Sequence, residues 1–277
     1  MEKFEKVVQL AKDITLGGQK MVLIAGPCAV ESYDICIKTA ETVKEICANL
    51  DIAYVFKASY DKANRTSSAS FRSIGMHEGL ETLHKVGNAL DIPLLTDVHE
   101  SSQVESVAQV ADILQIPAFL CRQTDLLIAA AMSGRALNIK KGQFMAPGDM
   151  KYAIDKIKNS GNENGFLTER GTSFGYHNLV VDMRGLPILR KFAPVIFDVT
   201  HSIQQPGAAG GSSGGQKEFA PFLARAAGAA GIDGYFVETH PNPEVALSDG
   251  PNMIPLHEMK NFIIMLQESW RFGNKFA

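Results

Sequence analysis

The feature that most constrains this 277-residue chain is an eightfold alternation of short β-rich runs with longer segments of helical periodicity. Several short runs are wholly or largely apolar, such as VLIA and VIFDV, as expected of strands that are buried on both faces. Eight successive β-then-α units form either a closed parallel barrel or a doubly wound sheet. Because the nucleotide-binding fingerprint GxGxxG does not follow the first run, we predict a single (β/α)8 TIM barrel.

The predicted elements cover most of the chain after residue 20. Strands are predicted at residues 21–25, 53–58, 93–97, 112–116, 136–140, 165–168, 195–199 and 234–238. Helices are predicted at residues 33–50, 73–90, 101–110, 123–132, 148–159, 218–230 and 255–272. The helix within residues 181–192 should be short, since Gly185 and Pro187 interrupt it. We therefore assign residues 21–277 to the barrel and residues 1–20 to a short N-terminal extension, interpreted as a hairpin with its turn at Gly17 and Gly18.

Composition and charge argue against several functional classes. A net charge of −3 and a pI near 6.2 do not suit a nucleic-acid binder, which needs a large basic surface. There is no run of 18 or more apolar residues, and MEKFEKVVQL lacks the pattern of a signal peptide, so we expect a cytoplasmic protein without a membrane span. The four cysteines are too few and too scattered for a disulfide framework.

Polar and charged residues gather where the predicted strands end. In a (β/α)8 barrel the active site lies at the C-terminal ends of the strands and in the loops that follow. The candidates at these ends are Cys28, Lys57, Lys62, Asn64, Arg65, Asp97, Gln115, Arg122, Lys140, Arg170, His201, Glu238 and Asp249. Strand ends are solvated, and any one polar residue there is explained equally well by that alone.

The cations in this set form a stronger signal than any single residue. Five of them are predicted to share one small mouth: Lys57, Lys62, Arg122, Lys140 and Arg170. Because like charges repel, such a cluster is unfavourable unless an anion fills it. Two phosphates and a carboxylate would satisfy it, which indicates a small phosphorylated substrate.

A second group in the same set has the chemistry of metal ligands. Cys28, His201, Glu238 and Asp249 would supply a thiolate, an imidazole and two carboxylates, a mixed set that suits Zn²⁺, Fe²⁺ or Mn²⁺. A lone buried cysteine usually only packs, and a lone histidine is usually only hydrogen-bonded. No two of the four have local ligand spacing, so the metal site depends on the barrel bringing them together.

The stretch QQPGAAGGSSGGQ, residues 204–216, follows the seventh predicted strand. It contains five glycines, and it is either a plain connector or a lid that closes over the substrate. Its place after a strand that ends in a candidate ligand favours the lid.

Long motifs from residue 21 to near the C-terminus resemble the 3-deoxy-D-manno-octulosonate 8-phosphate synthase family. They are IAGPCAVES, FKASYDKANRTSSASFR, LLTDVHE, LQIPAFLCRQTDLL, NIKKGQF, ERGTSFGY, FDVTHSIQQPG and ETHPNPEVALSDGPNM. The resemblance implies a homotetramer of (β/α)8 barrels. It also implies condensation of phosphoenolpyruvate with D-arabinose 5-phosphate and water, a step towards lipopolysaccharide.

The resemblance also implies roles for individual residues. Cys28 stands where metal-independent members carry Asn, which implies the metal-dependent branch with one divalent ion per subunit, Zn, Fe, Mn or Co. The implied metal ligands are Cys28, His201, Glu238 and Asp249. The implied phosphoenolpyruvate ligands are Lys57, Lys62, Gln115, Arg122, Lys140 and Arg170. The implied ligands of arabinose 5-phosphate are Asn64, Arg65, Thr66, which replaces a frequent Ser, and Asp97. The implied catalytic residues are Lys62, Asp97, Lys140 and His201.

Two alternatives stay open. The related 3-deoxy-D-arabino-heptulosonate 7-phosphate synthases use erythrose 4-phosphate and typically carry KPRTS in the second loop, whereas this chain reads KANRTS, so Asn64 favours the five-carbon aldose. The other alternative is a non-catalytic barrel that binds a phosphorylated metabolite as a sensor or scaffold. The complete sets of cations and ligand-type residues argue against it.

Overall fold

The chain folds into a closed parallel barrel, as the alternating pattern predicts. The computed structural model describes residues 6–11, 13–64, 70–207 and 214–275. The barrel strands are β1 (Val22–Gly26), β2 (Ala53–Lys57), β3 (Leu94–Asp97), β4 (Ile113–Ile116), β5 (Ala136–Lys140), β6 (Gly165–Glu169), β7 (Val195–Asp198) and β8 (Gly234–His240). Each strand pairs in parallel with the next, and β8 pairs with both β7 and β1, which closes the barrel. The predicted (β/α)8 fold is confirmed.

Helices surround the barrel. They are α1 (Tyr33–Asn49), α2 (Met76–Leu90), α3 (Val104–Ala108), α4 (Thr124–Met132), α5 (Met150–Asn159), α6 (Gly185–Arg190), α7 (Ala220–Ala229) and α8 (Met259–Asn274). Helix α6 is short, as predicted, and α3 is shorter than predicted because residues Ser101–Gln103 form a separate 3-10 turn. Among the described residues, no helix combines the length and apolarity needed to cross a membrane.

A hairpin precedes the barrel, but its turn is not where the sequence predicted it. Strands Val8–Ala11 and Ile14–Leu16 pair antiparallel, with Val8 opposite Leu16. The predicted turn at Gly17 and Gly18 is wrong, since both glycines follow the second strand. The observed register places the buried Val8 and Leu16 side by side, whereas a turn at the glycines would separate them. The division of the chain at residue 20 stays a prediction.

The period-two alternation of the strands sorts the barrel interior into two levels. We call the first the lower layer: Val22, Ile24, Val55, Leu95, Ile113, Ala136, Phe166, Ile196 and Phe236, against which the hairpin packs Val8, Leu10 and Leu16. Two residues further along the same strand faces lies the upper layer: Lys57, Asp97, Gln115, Asn138, Thr168, Asp198 and Glu238. All seven upper-layer side chains are buried. One step along each strand therefore separates an apolar core from a polar floor.

Candidate active site

A cavity of about 780 Å³ lies at the C-terminal ends of the strands, above the upper layer. The predicted site residues that line it are Lys57, Lys62, Asn64, Asp97, Gln115, Lys140, Arg170, His201 and Asp249. Cys28 and Glu238 are fully buried and contact this lining from beneath. Most of the candidates therefore meet in one place.

One predicted residue does not line this cavity, and two others lie outside the described residues. Arg122 is exposed, lies in the turn just before α4 and is not part of the cavity lining. Of the five cations predicted to share one mouth, Lys57, Lys62, Lys140 and Arg170 line the cavity in this subunit, and the role of Arg122 stays a prediction. Arg65 and Thr66 lie outside the described residues.

The four candidate metal ligands converge. One ligand atom each from Cys28, Glu238 and Asp249 lie within 4.8 Å of one another. His201 joins them, with Nε2 3.6 Å from Glu238 Oε1 and 4.0 Å from Asp249 Oδ2. Asp249 has a φ of 51°, a left-handed conformation that is uncommon for a residue with a side chain and is often retained at functional sites.

His201 is oriented by Asp198, which is not among the predicted site residues. Asp198 ends β7 and accepts a hydrogen bond from the His201 backbone N–H at 2.9 Å, which caps the one-turn helix Val199–Ser202. This cap also explains why β7 ends one residue earlier than predicted. The second oxygen of Asp198 lies 2.8 Å from His201 Nδ1. A proton held on Nδ1 leaves the lone pair of Nε2 directed at Glu238 and Asp249, the arrangement typical of a ligating histidine.

Asp198 also accepts a hydrogen bond from Lys140 Nζ at 2.6 Å. Burial would raise the pKa of Asp198, but His201 and Lys140 hold the pKa well below its usual range. Burial lowers the pKa of Lys140, and Asp198 opposes that effect. The signal that could have found Asp198 is its place three residues before a candidate histidine, where an N-cap residue belongs.

Glu238 has one satisfied and one unsatisfied oxygen. Its Oε1 accepts from Lys57 Nζ at 2.8 Å, while the buried Oε2 has no hydrogen-bond partner among the described residues. Burial would raise the pKa of Glu238, but Lys57 and His201 keep it well below its usual value, so the carboxylate is charged. An unpaired, charged oxygen in a buried site is unfavourable. The oxygen and its neighbours therefore fit a divalent cation.

Cys28 lies beside this oxygen-rich cluster as a buried thiol. Its Sγ is 2.8 Å from Ser248 Oγ and 3.6 Å from Asp249 Oδ2. Burial raises the pKa of Cys28 to about 12, so the group is protonated at neutral pH unless a cation lowers that pKa. Because a bound divalent ion deprotonates a coordinating thiol, metal binding here should release a proton.

The remaining cations leave hydrogen-bond capacity for an anion. Arg170 donates from Nη2 to Gln204 Oε1 at 2.8 Å, and Gln204 donates to Asp249 Oδ2 at 3.0 Å. Nη1 of Arg170 is buried without a partner among the described residues. Burial lowers the pKa of Lys62, but Cys28 and the nearby carboxylates raise the pKa by more than burial lowers it. The net shift is upward, so Lys62 stays charged. These groups can bind a phosphate or a carboxylate.

The predicted lid is only partly described. Gln204–Gln205 pairs antiparallel with Gly214–Gly215, so both ends of the segment are held together at the cavity rim. A Cβ on Gly215 would lie 1.5 Å from Asn252 Oδ1, which explains why glycine occupies this position. Residues 208–213 lie outside the described part of the chain, and the lid stays a prediction.

Comparison with known proteins identifies close relatives over nearly the whole chain. The model of the DAHP synthetase I family matches residues 5–272. A 2-dehydro-3-deoxyphosphooctonate aldolase from Cyanothece sp. is 55% identical over 261 residues, covering 94% of this chain and 96% of that protein. Proteins of the same name from Koribacter versatilis and Campylobacter jejuni are 56% and 58% identical, covering 92% and 90% of this chain and 93% and 96% of their own lengths.

Proposed function

The chain belongs to the DAHP synthetase I family, and from this premise we propose that it condenses phosphoenolpyruvate with D-arabinose 5-phosphate and water. The products are 3-deoxy-D-manno-octulosonate 8-phosphate, which serves lipopolysaccharide biosynthesis, and inorganic phosphate. The observation that carries the proposal is one cavity that is lined by four of the predicted cations and lies directly above the cluster of Cys28, His201, Glu238 and Asp249. Relatives at 55–58% identity named as the corresponding aldolase support it.

Phosphoenolpyruvate is the ligand that suits the cations. Lys62, Lys140 and Arg170 line the cavity and would hold its carboxylate and phosphate, with Gln115 as a neutral donor. Lys57 also lines the cavity, but its side chain is only 1% exposed and donates to Glu238 and to the carbonyl of Cys28. We therefore expect Lys57 to act on the substrate mainly by holding Glu238. Fixing the reactants in this way reduces the entropic barrier of a two-substrate reaction.

The aldose phosphate would lie nearer the second loop. Asn64 and Asp97 line the same cavity, and Arg65 and Thr66 follow Asn64 in the chain. Burial would raise the pKa of Asp97, but Lys57, Lys62 and His99 keep it below its usual value, so Asp97 is an anion that accepts from sugar hydroxyls. We propose a homotetramer in which a neighbouring subunit completes this pocket, and we retain Arg122 as a predicted phosphoenolpyruvate ligand.

The reaction requires that the protein position the two substrates and stabilise the charge that develops on them. C3 of the enol phosphate bonds to the aldehyde carbon, the oxygen of water bonds to C2, and the C2–O bond to phosphate breaks. Of the two protons of water, one ends on the former aldehyde oxygen and the other on the departing phosphate. Lys62 stays protonated and would donate a hydrogen bond to the aldehyde oxygen as negative charge develops there.

We propose that Cys28, His201, Glu238 and Asp249 hold one divalent ion, of Zn, Fe, Mn or Co. Such an ion would orient and polarise the aldehyde as a Lewis acid. Chelation followed by metal analysis should abolish activity, and divalent metal should restore it. Full activity in verified metal-free protein would contradict the proposal. Cys28→Asn tests the ligand itself: the variant should lose tight metal binding, and we expect it to retain activity without metal.

The acceptor is identified by comparing two aldoses in one assay. Phosphate release from phosphoenolpyruvate should be fast with arabinose 5-phosphate and much slower with erythrose 4-phosphate. The reverse preference would identify a heptulosonate phosphate synthase. Binding of phosphoenolpyruvate without turnover on either aldose would support the non-catalytic alternative. Cell fractionation and the mass of the native assembly test two further proposals, a cytoplasmic location and the homotetramer.

A further inference from the structure

We infer that Asn138 and Thr168 are positioning residues that determine which end of the Gln115 amide faces the substrate. The inference rests on the proposed function, because it concerns how Gln115 meets the anion that we place in the cavity. Gln115 lines the cavity, whereas Asn138 and Thr168 are fully buried and do not. Their action would therefore pass through Gln115.

The observation is a directional chain of hydrogen bonds across four neighbouring strands of the upper layer. Thr168 Oγ1 donates to Asn138 Oδ1 at 2.6 Å, and Asn138 Nδ2 donates to Gln115 Oε1 at 2.8 Å. Gln115 Nε2 then donates to Asp97 Oδ1, and Ser59 Oγ donates to the other oxygen of Asp97. The three links from Thr168 to Asp97 all point in the same direction, and they end at a carboxylate, which only accepts.

This direction is fixed by the chemistry of the two ends. If Gln115 were flipped, its oxygen would face the Asp97 carboxylate and its amino group would face the amino group of Asn138. Both contacts would be repulsive in a buried site, where polar interactions are strong and unpaired groups are unfavourable. A flipped Asn138 would place its oxygen against the Gln115 oxygen, and the Thr168 hydroxyl supports the observed orientation by donating to Asn138 Oδ1.

The consequence reaches the cavity. With its oxygen occupied by Asn138 and one hydrogen donated to Asp97, Gln115 has a second amino hydrogen to offer a ligand. The carboxylate and phosphate of phosphoenolpyruvate only accept hydrogen bonds, so an amide with a fixed donor orientation favours them. An amide free to present its oxygen would instead repel the anion for part of the time. The chain of hydrogen bonds thus keeps Gln115 in the orientation in which it donates to the bound anion.

The first test compares Thr168→Val with Thr168→Ser. Valine keeps the shape and removes the donor, and serine restores it. Dissociation constants for phosphoenolpyruvate are measured by calorimetry, with KM and kcat for both substrates. We expect Thr168→Val to weaken phosphoenolpyruvate binding and raise its KM about 3- to 10-fold, with kcat changed less. Thr168→Ser should stay near the wild type.

A matched control removes an equally buried hydroxyl elsewhere. Thr39 in α1 donates to the backbone oxygen of Ile35 at 2.7 Å and is fully buried, so Thr39→Val should leave phosphoenolpyruvate affinity unchanged. Equal effects of Thr39→Val and Thr168→Val would overturn the inference and identify a general packing defect. Should Thr168→Val not fold, Asn138→Ser breaks the next link and is expected to give the same rise in KM.

The second test asks whether Thr168 acts through Gln115. In a Gln115→Ala background, Thr168→Val should produce no further change in phosphoenolpyruvate affinity, because the group that it orients is gone. An undiminished effect in that background would overturn the inference while leaving the proposed function intact. Wild-type protein that neither binds phosphoenolpyruvate nor releases phosphate from it would overturn both, so the two failures are distinguishable.

Discussion

The lower and upper layers of the barrel interior are built by the same strands, two residues apart, and have opposite chemistry. The lower layer is apolar and is closed from outside by the N-terminal hairpin. The upper layer carries Lys57, Asp97, Asp198 and Glu238, all buried, and opens into the cavity. A single step of the strand period therefore separates residues that stabilise the fold from residues that serve the site. Substitutions in the two layers should affect different measurements.

The upper layer is held by pairing rather than by apolar contact. Lys57 pairs with Glu238 at 2.8 Å, and Lys140 pairs with Asp198 at 2.6 Å, with all four side chains nearly or fully buried. The desolvation of such pairs offsets much of their attraction, so they contribute less to stability than apolar side chains of the same volume. Their retention is explained by the site that they form, which is the difference that the following predictions test.

The largest effect is expected from Arg170→Met at the cavity. Arg170 donates from Nη2 to Gln204, and its buried Nη1 has no hydrogen-bond partner among the described residues. The substitution should lower kcat/KM for phosphoenolpyruvate by roughly 10³-fold, because a charge that stabilises the bound anion is lost. The free energy of unfolding, measured with denaturant, should stay within about 1 kcal/mol of the wild type or rise, since a buried charge is removed.

Arg170→Lys is the matched variant, because it keeps the charge and loses the planar geometry. It should recover part of the activity. A large loss of stability in Arg170→Met with unchanged kinetics would contradict the comparison, since it would mean that a residue lining the cavity above the upper layer serves the fold.

The next effect belongs to the lower layer. Phe166 is fully buried, and Phe166→Ala should lower the free energy of unfolding by about 3–5 kcal/mol through lost burial and the cavity left behind. The folded variant should keep kcat and both KM values near those of the wild type. Lys85→Ala removes an exposed pair with Glu81 and serves as a surface control, with an expected change below about 0.5 kcal/mol. A large change in KM for Phe166→Ala would show that the layers are not separable.

Much of this arrangement follows from sequence because it depends on period and order. The eight strands and the gathering of Cys28, His201, Glu238 and Asp249 follow from alternation and from the rule that strand ends meet. The position of Arg122 does not, because the direction of a side chain in a loop depends on how that loop packs. The glycines predict the hairpin turn at the wrong place, because the burial of Val8 and Leu16 determines the register.

The hydrogen-bond partners in the upper layer were also beyond reach from sequence. Asn138 and Thr168 are ordinary residues within strands, and only the register between β5 and β6 brings them into contact. Asp198 lies within the predicted seventh strand, yet its double contact with His201 and Lys140 depends on the helical turn that follows. Sequence patterns thus predict which residues reach the site, whereas packing and register determine their partners.

The smallest effect is a difference in pH dependence between the layers. Burial would raise the pKa of Asp97, but Lys57, Lys62 and His99 hold it below its usual value near 4. A carboxyl whose pKa is lowered by folding contributes stability above pH 4, and that contribution is lost as the pH falls towards the folded-state pKa. Metal-free wild type should therefore lose stability between pH 6 and pH 3, and Asp97→Asn should lose about 1 kcal/mol less.

Phe166→Ala provides the contrast for this measurement, because the lower layer has no titratable group among the described residues. Its free energy of unfolding should be lower than that of the wild type by the same amount at pH 6 and at pH 3. If the Phe166→Ala profile changed slope while the Asp97→Asn profile matched the wild type, acid sensitivity would not arise in the upper layer. A Phe166→Ala profile that is parallel to that of the wild type, together with a flatter profile for Asp97→Asn, would instead assign the acid sensitivity to the upper layer.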